Sequence, residues 1–323
     1  MTLLRACVYF GCASFALHAM AAAAQNYPHR SIRFVVPYAP GSTTDTLARL
    51  LGPRLTDALG QPVVIDNRAG AAGNVGTDII AKALPDGHTL VIVPGSHAIN
   101  PSLYAKLPFD PVRDFSTVAL IASAPLLIAA HPNLPASSMR DLIALAKAKP
   151  GEIRYASGGS GSPTHLAMEL LKSAARVDIV HVPYKGGGSV LTALLSGEVQ
   201  LTPSGVLVLM PLARAGRIKL LATTSAKRIA VAPEVPTVAE SGVPGYAVSG
   251  WWGVLAPAAT PRAIVQRLNS VIVNALQSAD LRERLAADGI EPAGGTPEAF
   301  AEHLKREIAM WSKVVRESGA RAE

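Results

Sequence analysis

Apolar residues fall along this chain in two alternating rhythms. Short runs such as Ile32-Arg33-Phe34-Val35-Val36-Pro37 have the length and branched side chains of strands. After Asp45, leucines recur at helical spacing at Leu47, Leu50, Leu51 and Leu55, which predicts a helix with one buried face. Pro53 falls inside that stripe and is expected to kink the helix. Val63-Val64-Ile65 predicts the next strand. A stretch with Gly70, Gly73 and Gly76 follows, then a helix through Ile79, Ile80 and Ala83, a Pro85-Asp86-Gly87 turn, and the strand Thr89-Leu90-Val91-Ile92-Val93. Strands that alternate with helices in this order form a parallel sheet flanked by helices.

The middle of the chain repeats the order. Ile153-Arg154-Tyr155-Ala156 reads as a strand that runs into a Gly- and Ser-rich loop over 157–164, then a helix with Leu166, Leu170 and Leu171. A second strand, 178–182, leads into Tyr184-Lys185-Gly186-Gly187-Gly188, a helix through Leu191, Leu194 and Leu195, and the strand Val199-Gln200-Leu201-Thr202. Two units with one grammar predict two α/β lobes, each a mainly parallel sheet flanked by helices, with a ligand cleft between them. The apolar segments 118–130 and 220–225 are the expected crossovers. The expected division is residues 25–124 plus 225–323 for one discontinuous lobe and 125–224 for the other. Helix starts are expected at Ser138, with Asp141 completing a capping box, and at Thr260-Pro261 and Thr296-Pro297, where proline suits the first helical position. The last two helices are expected to pack on the first lobe.

Residues 1–24 break the pattern. Arg5 precedes an apolar, small-residue run that ends in Ala19-Met20-Ala21 and Ala22-Ala23-Ala24, the layout of a cleaved secretory signal. The run is shorter than the roughly 20 residues of a membrane span. Cys7 and Cys12 both lie within it, so the mature chain is expected to hold no disulfide, Cys-based metal site or Cys nucleophile. Cys12 follows Tyr9-Phe10-Gly11, a poor lipobox. The chain carries a formal charge of +7 with basic residues scattered, and 5% of its residues are aromatic. Neither a basic stripe nor a stacking platform for nucleic acid is present.

Chemistry is expected at the two strand-to-helix loops. In parallel α/β sheets, ligands bind beyond the carboxyl ends of the strands. Pro40-Gly41-Ser42-Thr43-Thr44 and the loop from Gly158 to Thr164 both sit there, each offering glycines, hydroxyls and a helix N-terminus whose free N–H groups favour an anion. A serine or threonine before a helix is commonly only a cap; the equivalent placement of two such loops turns the reading toward a clamp. A hydrogen bond to a charged group contributes roughly 1.5–3 kcal/mol, and micromolar affinity needs about 8 kcal/mol, so several such bonds suffice without a buried arginine. Enzyme signals are weak. Gly158-Gly159-Ser160-Gly161-Ser162 lacks the last glycine of a nucleophile elbow, Gly70 to Gly76 does not match a dinucleotide fingerprint, and no histidine pair lies four residues apart. No cofactor or metal site is expected. His165 opens a helix without an acid in view to make it a base, and Trp251 and Trp252 fit either a cleft wall or packing between lobes.

With those loops in place, the chain resembles the Bug-type periplasmic receptors of tripartite tricarboxylate transporters. The matching segments include 32–41, Thr44-Asp45, 59–64, Asn67-Arg68, 70–76, Pro85-Asp86-Gly87, Ile99-Asn100-Pro101, 110–115, 155–157 with 161–165, 182–186 and 235–240. The resemblance implies a two-lobed periplasmic binding protein fold, type II-like, that closes on its ligand. It also implies a small carboxylate ligand and delivery to membrane transporter subunits. The chain is expected to act as a monomer with no nucleic acid partner. Ligand contacts implied by it fall at Tyr38, Ala39, Pro40, Gly41, Ser42, Thr43, Thr44 and Asp45, at Gly161, Ser162, Thr164 and His165, and near Ser96, Tyr184, Lys185, Gly186 and Ser204. The chain departs from the family in two places. Ser42 and Thr43 follow Gly41 where further glycines are common. Ser204 stands where an acid is often found, which is expected to disfavour a ligand with an ammonium group. An exported α/β enzyme and a ligand sensor without a transport role remain the alternatives.

Overall fold

A computed structural model describes residues 27–184, 187–287 and 289–321; the expected signal segment, Lys185 and Gly186 lie outside the described residues. The first unit runs β1 (Ile32–Val36), α1 (Thr43–Leu59), β2 (Val63–Asn67), α2 (Asn74–Ala81), β3 (Thr89–Pro94) and α3 (Ser96–Leu103). β2 and β3 flank β1, both parallel to it. The long strand β4 (Phe115–Ala130) then leads into α4 (Met139–Ala148), β5 (Arg154–Ser157), α5 (Pro163–Ala175), β6 (Val180–Pro183), α6 (Gly187–Ser196), β7 (Leu201–Gly205), α7 (Val206–Arg214) and β8 (Lys219–Thr223). β5 pairs in parallel with β6 and β7. The chain ends through β9 (Ser249–Pro257), α8 (Arg262–Leu276), α9 (Ala279–Ala287), β10 (Glu291–Pro292) and α10 (Pro297–Ser318).

β4 joins the two halves. From Phe115 to Pro125 it pairs antiparallel with β9, which in turn pairs with β3. From Leu126 to Ala130 it pairs with β7, with β8 on its other side. The strand order β2-β1-β3-β9-β4-β7-β5-β6 thus contains two parallel groups separated by antiparallel β9 and β4. Between β8 and β9, residues 226–248 lean on the β5–β7 half. Ile229, Ala232 and Val235 pack with Leu194 and Leu209, and the Tyr246 hydroxyl donates to the Ala167 carbonyl at 3.0 Å.

The strand alternation explains the layers. Ile32, Phe34 and Val36 face Leu47, Leu51 and Leu55 of α1 and Leu268 and Ile272 of α8. Val35, Val91 and Val93 face the opposite layer, where α10 contributes Phe300, Leu304 and Trp311. The α1 stripe forms as its leucine spacing predicts, and the helix continues past Pro53 to a left-handed Gly60 cap. Ser138 and Thr296 cap α4 and α10 through their hydroxyls, which accept from Asp141 N and Ala299 N. Thr260 does not cap α8. It is buried, and its hydroxyl closes a turn onto the Pro257 carbonyl at 2.7 Å, so the helix starts after Pro261 without a side-chain cap.

Gly253, central in β9, leaves room for the tip of the Phe300 ring of α10. A Cβ there would sit 2.1 Å from Phe300 Cζ. Gly253→Ala is therefore expected to cost about 2–3 kcal/mol through overpacking, read as a lower urea midpoint. Phe300→Leu in the same chain should recover part of that loss, giving a non-additive double-mutant cycle.

Candidate functional site

A cavity of about 910 Å³ opens between the two halves. Helices α1 and α3 reach it from one half and α5 and α7 from the other, all by their N-terminal ends. Thr43 and Thr44, Gly95 and Ser96, Ser162 and Pro163, and Val206, Leu207 and Val208 line it.

The α1 and α5 loops share one hydrogen-bond pattern. Gly41 and Gly161 take left-handed backbone angles, φ 82° and 75°, conformations that glycine adopts without strain. Ser42 and Ser162 then cap their helices from near-identical extended geometry, accepting at 3.2 Å from Asp45 N and His165 N. Each third helical residue reaches back. Asp45 Oδ2 accepts from Gly41 N at 2.9 Å, and His165 Nδ1 accepts from Gly161 N at 3.0 Å. The donors consumed inside each loop fix the remaining first-turn N–H groups. Burial opposes ionisation of Asp45, but hydrogen bonds from Arg49, Gly41 and Asn67 prevail and hold its pKa below the usual carboxylate range. Asp45 and His165 are buried and face back into their own loops, outside the cavity lining.

Thr44 is different. Its hydroxyl oxygen accepts from Trp252 Nε1 at 3.0 Å, which leaves its O–H to donate into the cavity. Tyr38 donates its hydroxyl to the Ala72 carbonyl at 2.9 Å. Its 2.7 Å contact with Ser96 Oγ is therefore donated by the serine. Asn100 Nδ2 also bonds the Ala72 carbonyl, at 3.1 Å. These bonds hold Ala71 and Ala72 at φ 46° and 50°, strained for alanine, against the cavity wall.

Of the residues expected at the site, Tyr38, Gly41, Thr43, Thr44, Ser96, Gly161 and Ser162 line this one cavity. Ala39 and Pro40 are exposed on the loop. Ser42 and Thr164 act within their loops, Thr164 Oγ1 accepting from Gly158 N at 3.2 Å. Tyr184 donates its hydroxyl to Glu198 at 2.7 Å, and Ser204 sits in β7 opposite Leu127; neither is among the lining residues. Lys185 and Gly186 lie outside the described residues. The α7 end is the part that sequence reading missed. Gly205 caps it without a side-chain bond, so no Ser, Thr, Asp or Asn marks the start, and the only available signal was glycine ahead of an apolar run. Asn100, Glu307 and Trp311 also line the cavity.

Under the α5 loop, His165 and His181 stack with ring centroids 4.0 Å apart, and His181 Nε2 lies 2.6 Å from Ser157 Oγ. Burial, then repulsion from His165, pushes the His181 pKa down to about 4 from 6.5, against the attraction of Glu169. Burial also lowers His165, whose Nδ1 must be unprotonated to accept from Gly161. The unfolded chain binds protons as pH falls below 6.5 while the folded chain resists until lower pH. Stability is thus complete above that value and declines toward pH 4. Urea midpoints should fall from pH 7 to 4.5, and His181→Asn should flatten that slope.

Comparison with known proteins agrees with this geometry. Residues 47–320 match the model of the "Tripartite tricarboxylate transporter family receptor". Protein BugT of Bordetella pertussis (strain Tohama I) is 39% identical over 300 residues, which span 92% of each chain. Among solved structures, R. palustris Rpa4515 with adipate superposes with a TM-score of 0.74 at 41% identity, covering 91% of this chain and 99% of that one. MatC (Rpa3494) from Rhodopseudomonas palustris with bound malate gives 0.70 at 34% identity, covering 90% of this chain and 100% of that one. The fold is that of the two-lobed periplasmic binding proteins, and the chain belongs to the receptor family of the tripartite tricarboxylate transporters.

Proposed function

We propose that this protein is a periplasmic receptor that captures a small carboxylate and delivers it to the membrane subunits of a tripartite tricarboxylate-type transporter, without catalysing a reaction on it. The observation that carries the reading is the duplicated loop: one hydrogen-bond pattern, Gly41 to Asp45 and Gly161 to His165, set in both halves at the wall of one cavity. Four helix N-termini there provide fixed N–H donors and positive dipole ends. Relatives bound to adipate and malate support the ligand class. The reading takes residues 1–24 as a cleaved export signal, 25–124 with 225–323 as one lobe and 125–224 as the other, in a protein that acts as a monomer. The change of β4 partners between Pro125 and Leu126 supports the first boundary; the segment 226–248 then leans across onto the second lobe.

Thermal-shift screening against mono-, di- and tricarboxylates tests the reading, because a ligand that binds only the folded chain raises its melting temperature. At least one carboxylate should raise it and alter tryptophan fluorescence with no turnover, and a flat response across all three classes would sink the assignment. Thr44→Val removes the one hydroxyl pre-aimed by Trp252. For the carboxylate that shifts the wild type most, it should weaken affinity by roughly 10- to 100-fold, the value of one hydrogen bond to a charged group, measured by calorimetry.

A further inference from the structure

The chain has three tryptophans, and all of them, Trp251, Trp252 and Trp311, line the cavity. Trp252 belongs to the anion end through Thr44. The other two do something else. Trp251 Nε1 and Trp311 Nε1 donate to the same atom, Glu307 Oε2, at 3.0 and 2.9 Å. Two donors on one oxygen fix the plane of that carboxylate. Glu307 is half-buried on α10 at the cavity wall, and its Oε1 accepts no hydrogen bond among the described residues. Burial keeps His303, one turn earlier, lowered in pKa, so it does not neutralise Glu307. Among the described lining residues there is no Lys, Arg or His, and Glu307 is the one carboxylate.

The cavity therefore carries polarity of both signs. Helix N-termini supply its positive character and Glu307, beside indole rings and near the α3 start at Gly95, its one negative side chain; Ile99, Leu103, Leu207 and Val208 supply apolar wall as well. A second carboxylate on the ligand would find no cationic side chain there and would meet Glu307. An ammonium group would find a carboxylate oxygen without a partner, with aromatic rings that favour cations nearby. Ser204 alone is expected to disfavour an ammonium group; α10 supplies the acid that β7 lacks.

We propose that Glu307, held by Trp251 and Trp311, is a cation subsite, and that the ligand is a zwitterion with a carboxylate at the loop end and an ammonium group at the far end of a short aliphatic body. This rests on the receptor reading above and narrows its ligand class. Isothermal titration calorimetry of the wild-type chain with γ-aminobutyrate, δ-aminovalerate and ε-aminocaproate, each against its isosteric diacid (glutarate, adipate, pimelate), tests it. The best-fitting amino acid should bind at least tenfold more tightly than its matched diacid. Glu307→Gln keeps an oxygen for the indoles but removes the charge, and should shrink that preference at least tenfold. A wild-type preference for the diacid overturns the cation subsite and leaves the receptor reading standing; this comparison decides even if the variant fails to fold. A preference that survives Glu307→Gln unchanged overturns it equally. Absence of binding by either series and by simple monocarboxylates overturns both.

Discussion

The first turn of a helix has N–H groups that no carbonyl within the helix can reach, and the site depends on how these are shared out. In each loop, the cap serine takes the N–H of the third helical residue, and that residue's side chain takes the N–H of the preceding glycine. The bonds leave Thr43 and Thr44 N–H pointing outward with their geometry already set, so a ligand does not have to order the loop when it binds. The α5 loop offers one first-turn N–H fewer, because Pro163 has none, while the Thr164 hydroxyl oxygen accepts from Gly158 N. The two halves therefore contribute unequally, the α1 loop with its Trp252-polarised hydroxyl being the stronger partner. That Asp45 and His165 perform one role shows that the pattern needs an acceptor at this position and not a particular charge.

The same loops are placed relative to one another by β4 and β9. β4 runs continuously from one half to the other and β9 begins beside its midpoint, so any change in the angle between halves must be absorbed near Pro125, opposite Ser249, and near Gly250, opposite Ala124. Gly250 suits that place because a Cβ would press on the Ala124 carbonyl at 3.3 Å. On the opposite side of the cavity, a Cβ at Gly161 would lie 3.2 Å from Leu103 of α3, so the α5 loop already touches the other half. Glycine there serves two ends at once, the left-handed turn and the close approach.

The sequence made the duplicated units legible because strands and helices alternate with clear periods, and because Gly-Ser ahead of each helix is a local signal. It did not reveal α3 or α7. Gly95-Ser96-His97-Ala98 and Gly205-Val206-Leu207-Val208 have no side-chain cap, and Pro101 and Pro211 inside these short helices argue locally against them. Their stability comes from tertiary packing, as with Leu209 and Ile99 in the cores. Trp252, Trp251 and Glu307 stayed ambiguous for a different reason. Trp251 and Glu307 are 56 residues apart, and Thr44 and Trp252 are 208 apart, so no local pattern connects them. Asp45 and His165 were legible by position but not by role, since only the fold shows their side chains turned back onto their own loops.

The absence of a cationic side chain from the described lining residues is what allows the two ends of the cavity to coexist. A lysine or arginine long enough to grip a carboxylate would also reach across to Glu307, and an ion pair between them would cancel both ends before any ligand arrived. Helix N-termini cannot do this. Their N–H groups are fixed in the backbone, their partial charges act over only the first turn, and they cannot swing toward Glu307. The indoles of Trp251 and Trp311 complete the separation from the other side, because neutral donors hold the Glu307 carboxylate in place without discharging it. A site that must hold opposite charges in one cavity is better built from one anchored side-chain charge and fixed backbone dipoles than from two side-chain charges free to pair with each other.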